Sequence, residues 1–284
     1  MSKLIALVDG SVYSRSVCDH AAWIAKRMGS SIEVLHVLGR REIASAPSDL
    51  SGSIALGARS ALLEELTALD EQRAKLAQKR GRAILDDAKA VIEASGIANV
   101  ATKLRIGDIV ETVVDTEADA DMVVIGKRGE GADFARLHLG SNLERIARSS
   151  RKPIFVASRA FKPIESFLIA FDGGASSMKA VDHVARSRLF EGLSCRLLMV
   201  EQDTPEAQKR LQDAGSMLQA GGYSVKAEIV AGQADTVIAR TVENEGINLL
   251  VMGAYGHSRI RSFVIGSTTS EMIRSCKVPV MLFR

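Results

Sequence analysis

The 284-residue chain lacks the short signatures that fix a chemistry outright. Its three cysteines, Cys18, Cys195 and Cys276, are odd in number, far apart and without a C-x-x-C pair, which excludes a disulfide framework and a thiolate zinc site. Small buried side chains are their simplest role. An excess of one charge is also missing: 37 basic residues face 34 acidic ones, for a formal net charge of +3. That balance gives no field for nucleic acid, and none is expected as a partner. Apolar runs stay too short for a membrane span, and "MSKLIALVDG" reads as a strand entering a turn rather than a signal segment, so a cytoplasmic protein with no membrane partner is expected. No H-E-x-x-H, no carboxylate cluster of metal-ligand spacing and no nucleophile–base–acid constellation occurs, and neither a catalytic residue nor a metal ligand is assigned.

What is present is a repeat. "LIALVDGSVYSRSVCDHAAWIA" from Leu4 and "LIAFDGGASSMKAVDHVARSR" from Leu168 share an apolar strand, Asp-Gly, a small polar turn and a helix containing Asp-His. The likeness returns between Gly107–Gly129 and Gly232–Gly256, and both halves end alike, in "RKPIFVAS" and "KVPVMLF". A duplication with a domain-sized period explains this, and with 46% hydrophobic residues each half can bury a core. We expect domains over 1–159 and 164–284, joined through "SRAFKP" at Ser158–Pro163.

Strands and helices alternate within each half. Strands are expected near 3–9, 31–38, 99–105, 121–126 and 153–158, then near 166–172, 193–200, 224–230, 248–253 and 279–283. Helices are expected near 14–28, 57–95, 107–118 and 141–149, then near 175–190, 204–220, 232–245 and 267–275. Parallel neighbours need crossovers, so the fold class is α/β: two doubly wound, Rossmann-like parallel sheets, each ordered 3-2-1-4-5 and related by duplication. The long charged helix near 57–95 sets the first half apart; its leucines and alanines are expected to cover its own sheet, with a coiled-coil or partner role as the alternative.

In such a sheet ligands collect outside the carboxyl ends of the strands where strand order reverses, here between the first and fourth strands. That puts Asp172 beside Gly253, and Asp9 beside Gly126. Each fourth strand runs into a glycine loop that ends at a helix start, in the second half "GAYGHSRIRSFVIGSTTSEM" from Gly253 to Met272. Glycines let backbone amides approach a ligand, and the helix start adds free N–H groups, so a multivalent anion suits the site. The bland alternatives are turn-forming aspartates before Gly10 and Gly173, and helix caps in which Thr268 pairs with Glu271 and Ser141 with Glu144. His20 and His183, inside the first helices, read as packing residues more readily than as bases, since helix interiors lie away from the crevice.

The second loop is neither a dinucleotide fingerprint nor a P-loop. Its spacing of Gly, two residues, Gly, nine residues, Gly, Ser, met by Gly253, Gly256, Gly266 and Ser267, closely resembles the ATP-binding members of the universal stress protein family, as do "VIGSTT" and "VPVMLF". The likeness spans both halves, as in a tandem member. It implies that Asp172 contacts a nucleoside, that backbone near Val200 meets adenine, and that Gly253, Gly256, Gly266, Ser267 and Thr268 hold ribose and phosphates. The counterparts in the first half are Asp9, Gly126, Gly129, Gly140 and Ser141. It further implies ATP or a related adenine nucleotide as ligand, with magnesium bound through the nucleotide where Asp9 or Asp172 reaches it. Occupancy would act as a stress-response signal, with at most weak ATPase activity; a slow hydrolase or phosphotransferase, or an interaction protein with vestigial pockets, are the rivals.

Two departures matter. Gly174 stands where the family often has a serine, and Gly129 and Gly140 enclose ten residues rather than nine. The second loop carries Arg259 and Arg261 and no acid, whereas the first carries Glu130 and Asp133 against Arg136 and a histidine, so the second half is expected to bind more tightly. The two final strands are expected to pair with each other as an internal pseudo-dimer, and a homodimer of whole chains stays open.

Overall fold

The computed structural model describes residues 2–39, 56–129, 141–254 and 266–284, without the side chains of 56–61 and 141. In the first half the elements are β1 (Lys3–Leu7), α1 (Ser14–Met28), β2 (Ser31–Leu38), α2 (Leu56–Ala94), β3 (Val100–Ile106), α3 (Ile109–Thr116), β4 (Met122–Gly126), α4 (Ser141–Ser149) and β5 (Ile154–Ala157). The second half runs through β6 (Ser166–Phe171), α5 (Ala175–Arg186), β7 (Ser194–Met199), α6 (Pro205–Ala220), β8 (Val225–Ile229), α7 (Ala234–Asn244), β9 (Leu249–Gly253), α8 (Ser267–Ser275) and β10 (Val280–Phe283).

Local chemistry sets the boundaries. Gly29, at φ 66°, supplies the left-handed residue that ends α1. Asp108 starts α3 by accepting from the amides of Val110 and Glu111, which shortens the helix expected over 107–118. Thr204 caps α6, with Pro205 in the first turn. The helix expected over 175–190 ends at Arg186, where Ser187 turns extended and caps a 3₁₀ turn over Arg188–Phe190.

Among the described residues the strands form one sheet in the order β3-β2-β1-β4-β5-β10-β9-β6-β7-β8, which is 3-2-1-4-5 in each half. All neighbours are parallel except at the centre, where β5 and β10 pair antiparallel with Phe155 opposite Met281. The final strands of the two halves therefore meet as expected, and both of those residues are fully buried. One apolar layer joins α1, α2, α5 and α6 to the sheet, through residues such as Ile24, Ile92, Val181 and Leu211. The opposite layer joins α3, α4, α7 and α8, through Val113, Ile146, Ile238 and Ile273.

The long helix departs from expectation. At 39 residues α2 is about 58 Å long, whereas the eight-residue β2 spans about 26 Å. Leu85, Ala88 and Ile92 are buried on the sheet, but Leu63, Leu69 and Leu76 are 47%, 46% and 68% exposed. Among the described side chains the later turns cover the sheet, and the helix is longer than the strands beneath it.

Candidate functional site

The two crevices lie at the carboxyl ends of β1 and β4, and of β6 and β9. Parallel pairing fixes both, with Ala6 level with Val124 and Ala170 level with Met252. Asp172 leaves β6 into a tight turn: its Oδ1 accepts from the Gly174 amide at 2.8 Å and from Ser177 Oγ at 2.6 Å, while Gly173 sits at φ 75°. The turn-forming role of this aspartate is thus realised, and it holds the carboxylate at the rim. Arg210 of α6 closes one side, donating to the Asp172 carbonyl at 3.3 Å and to Glu201 Oε2 at 2.7 Å.

Gly253 has a packing reason to be glycine, since a Cβ there would lie 2.9 Å from Ser176 Cβ and 3.1 Å from the Ser177 amide nitrogen. Close contact between β9 and the start of α5 brings Asp172 and Gly253 to one place. The chain leaving β9 returns there: the Gly266 amide donates to the Ala254 carbonyl at 3.2 Å, and Thr269 Oγ1 donates to the Gly253 carbonyl at 3.1 Å. The helix α8 begins at Ser267, and Gly266 before it offers no side chain to cap the amides of its first turn. Thr268 lies within that turn instead of capping it, and Glu271 pairs with Arg274, which replaces the expected Thr268–Glu271 box. Val200 follows β7 and is half-buried on the layer beneath. Gly256, His257, Arg259 and Arg261 lie outside the described residues.

The first crevice repeats the turn differently. Asp9 Oδ1 accepts from the Ser11 amide at 3.0 Å and from Ser14 Oγ at 3.3 Å. A Cβ on Gly129 would lie 2.8 Å from Asp9 Oδ2, so acid and glycine touch, and one on Gly126 would meet Tyr13 Cβ at 2.7 Å. Overhead runs α2, whose Ile84 would contact a Cβ on Gly10 at 2.8 Å. Asp9, His36 and Leu38 share a cavity of about 270 Å³ with Arg73, Leu76, Ala77, Arg80 and Ile84 of that helix. Sequence reasoning missed this overhang, because a helix–strand pattern carries no information on how far the helix reaches over the rim. Glu130, Asp133, Arg136 and Gly140 lie outside the described residues, as does the side chain of Ser141; Glu144 is engaged by Arg148.

The paired histidines are structural. His20 is fully buried between Phe155 and Phe161, its Nδ1 2.7 Å from the Ser16 carbonyl, and burial pulls its pKa down to about 4. His183 packs on Phe283 and is likewise shifted down by burial. Cys18 and Cys195 are free and buried, with thiols pushed up to about 12 by desolvation. No group of three or more metal-ligating side chains occurs among the described residues.

A chain of two doubly wound units joined edge to edge, each with an acid turn at its rim, defines a tandem α/β class. The model of the universal stress protein family matches residues 1–158 and 183–284. A universal stress protein of Synechocystis sp. is 38% identical over 288 residues, covering 100% of both chains. Another, from Mycolicibacterium smegmatis, is 25% identical over 75% of this chain and 78% of its own. The solved structure of a universal stress protein from Archaeoglobus fulgidus matches with a TM-score of 0.76 over 99% of this chain and 98% of that one, at 19% identity, a likeness of fold. This chain belongs to the universal stress protein family.

Proposed function

We propose that the chain binds ATP or a related adenine nucleotide at the rim between β6 and β9, and that occupancy of this crevice is the signal it passes on. The supporting observation is the meeting of the described ends of the second loop: the Gly266 amide donates to the Ala254 carbonyl and Thr269 to that of Gly253, which starts α8 at the end of β9 packed on the Asp172 turn. Helix-start amides and loop backbone suit polyphosphate oxygens, while Asp172 and the backbone after β7 suit the nucleoside. Ser267 and Thr268 stand in the first turn of α8, where their hydroxyls add donors. Magnesium would reach the site on the nucleotide, where it would neutralise phosphate charge. The donor set is mostly backbone, which favours retention of nucleotide over its turnover.

The first crevice is the weaker site in this reading. Its cavity of about 270 Å³ falls below the roughly 300–1,000 Å³ typical of ligand pockets, with α2 as its roof. Denaturing freshly purified protein and identifying the released small molecules by chromatography and mass spectrometry tests the proposal directly. Release of an adenine nucleotide, or calorimetric binding of ATP by the emptied chain without steady ADP formation, is expected. No measurable affinity for any nucleotide would overturn it.

A further inference from the structure

Beyond the two crevices, a cleft of about 240 Å³ opens where the first half meets the end of α8. Its lining contains Lys127, Arg128, Arg159, Arg274 and Lys277, with Tyr13 and Ser275 supplying hydroxyls, and, among the described residues, no carboxylate. Lys127 is only 8% exposed, and its Nζ donates to the Cys276 carbonyl at the end of α8. Burial, reinforced by the charge of Arg128, draws its pKa down to about 8. Two described acids reach these cations from outside the lining: Glu271 pairs with Arg274, and Glu243 lies 3.1 Å from Lys277, whose side chain is 86% exposed.

With Glu271 on Arg274 and Glu243 on Lys277, two carboxylates offset part of the cleft's positive charge, and the charge that remains at Lys127 and Arg159 is what a multivalent anion would meet. The volume admits a phosphate or pyrophosphate but is smaller than the pockets that take nucleotides. Among the described residues the second half does not repeat this cluster. In the second half Ala254 stands where the first has Lys127, so the mirrored position, near Arg148 and Arg151, lacks the buried amine.

We propose that this seam cleft binds a small multivalent oxyanion of the phosphate class, held by Lys127, Arg159, Arg274 and Lys277 and separate from both nucleotide crevices. The test is calorimetric titration of the full chain with inorganic pyrophosphate, with ATP and adenosine as further titrants. Arg159→Gln combined with Arg274→Gln changes side chains at the surface, so folding should persist; pyrophosphate affinity should fall at least tenfold while adenosine and ATP binding hold. Lys127→Met, checked for folding by circular dichroism, should abolish pyrophosphate binding, and the mirrored pair Arg148→Gln with Arg151→Gln should leave it intact. Pyrophosphate binding should also survive Gly256→Asp, which addresses the nucleotide crevice, so failure of one proposal is readable apart from the other. Absence of pyrophosphate binding, or equal loss in the mirrored pair, would overturn the cleft. Loss of ATP affinity alone in the Arg159/Arg274 variant would assign it instead to the distal phosphates of a nucleotide in the first crevice, and the separate site would be rejected.

Discussion

Glu33 in the first half and Arg196 in the second occupy equivalent places on their strands, and they carry opposite charge. Glu33 lies 3.4 Å from Lys3 and 3.5 Å from Lys103 of the neighbouring strand; Arg196 lies 2.6 Å from Glu228, the counterpart of Lys103, and 2.7 Å from Glu245. What both halves keep is complementarity between adjacent strands, with its sign reversed. A charge on a sheet face is therefore constrained by its own neighbours and not by ancestry. The two ends of the molecule differ in depth as well: the Arg196 side chain is 7% exposed and that of Glu33 is 15%.

Breaking this pairing should give the largest effect. Arg196→Ala removes a buried guanidinium and leaves two carboxylates that are about a third exposed, and should cost about 3 kcal/mol in urea unfolding, the low end for breaking a buried pair. Glu33→Ala leaves two lysines long enough to swing into water, and should cost about 1 kcal/mol. Equal losses would show that the two clusters are energetically alike despite their depth.

Acid titration sharpens the comparison next. An unfolded histidine takes a proton near pH 6.5, whereas folded His20 does so only at about 4. Its contribution is unchanged above 6.5, and stability drops as pH falls from 6.5 towards 4, by about 3 kcal/mol in total. His20→Gln should flatten that part of the pH–stability curve. His183, shifted in the same direction, makes His183→Gln the matched control, and no change of slope in His20→Gln would remove His20 as an acid-sensitive group.

The crevices themselves come third. Gly256→Asp adds a carboxylate to the second glycine loop and should weaken ATP binding at least 100-fold, about 2.7 kcal/mol, with the melting temperature held. The matching change in the first half is not equivalent, because the new carboxylate of Gly129→Asp would press on Asp9 Oδ2 and unsettle the turn as well. If Gly129→Asp, and not Gly256→Asp, removed ATP binding, the ranking of the halves would reverse. Smallest is Asp172→Ala, which deletes the acceptor for Gly174 and Ser177 and should weaken nucleotide binding about tenfold, with about 1 kcal/mol lost from folding. Unchanged affinity would leave Asp172 as a turn residue only.

The architecture was readable because each half repeats one alternation of apolar strands and amphipathic helices, and because β5 and β10 are the same strand twice. The strand-order rule put Asp9 beside Gly126 and Asp172 beside Gly253, whereas Gly129, which touches Asp9, entered through the family resemblance. The helix starts were less so: a Thr-x-x-Glu spacing suggested a cap at Thr268, yet the chain turns one residue before Ser267, where glycine meets the Ala254 carbonyl. The roof over the first crevice and the cationic cleft were invisible for one reason. Each joins side chains brought together by packing, Ile84 over Gly10 and Lys127 on Cys276, and no periodicity records such meetings.

The join between β5 and β10 also changes what a substitution can do. Were the halves separate chains, every replacement would fall twice and the pairing would weaken on dilution; a short connection between Ala157 and Ser166 makes the meeting intramolecular and independent of protein concentration. Each half is then free to drift alone. A lysine placed once, opposite an alanine, and a 39-residue helix placed once abolish the two-fold equivalence that a pair of identical chains must keep. The particle acquires a front and a back, and a partner that recognises either feature meets it in one orientation instead of two.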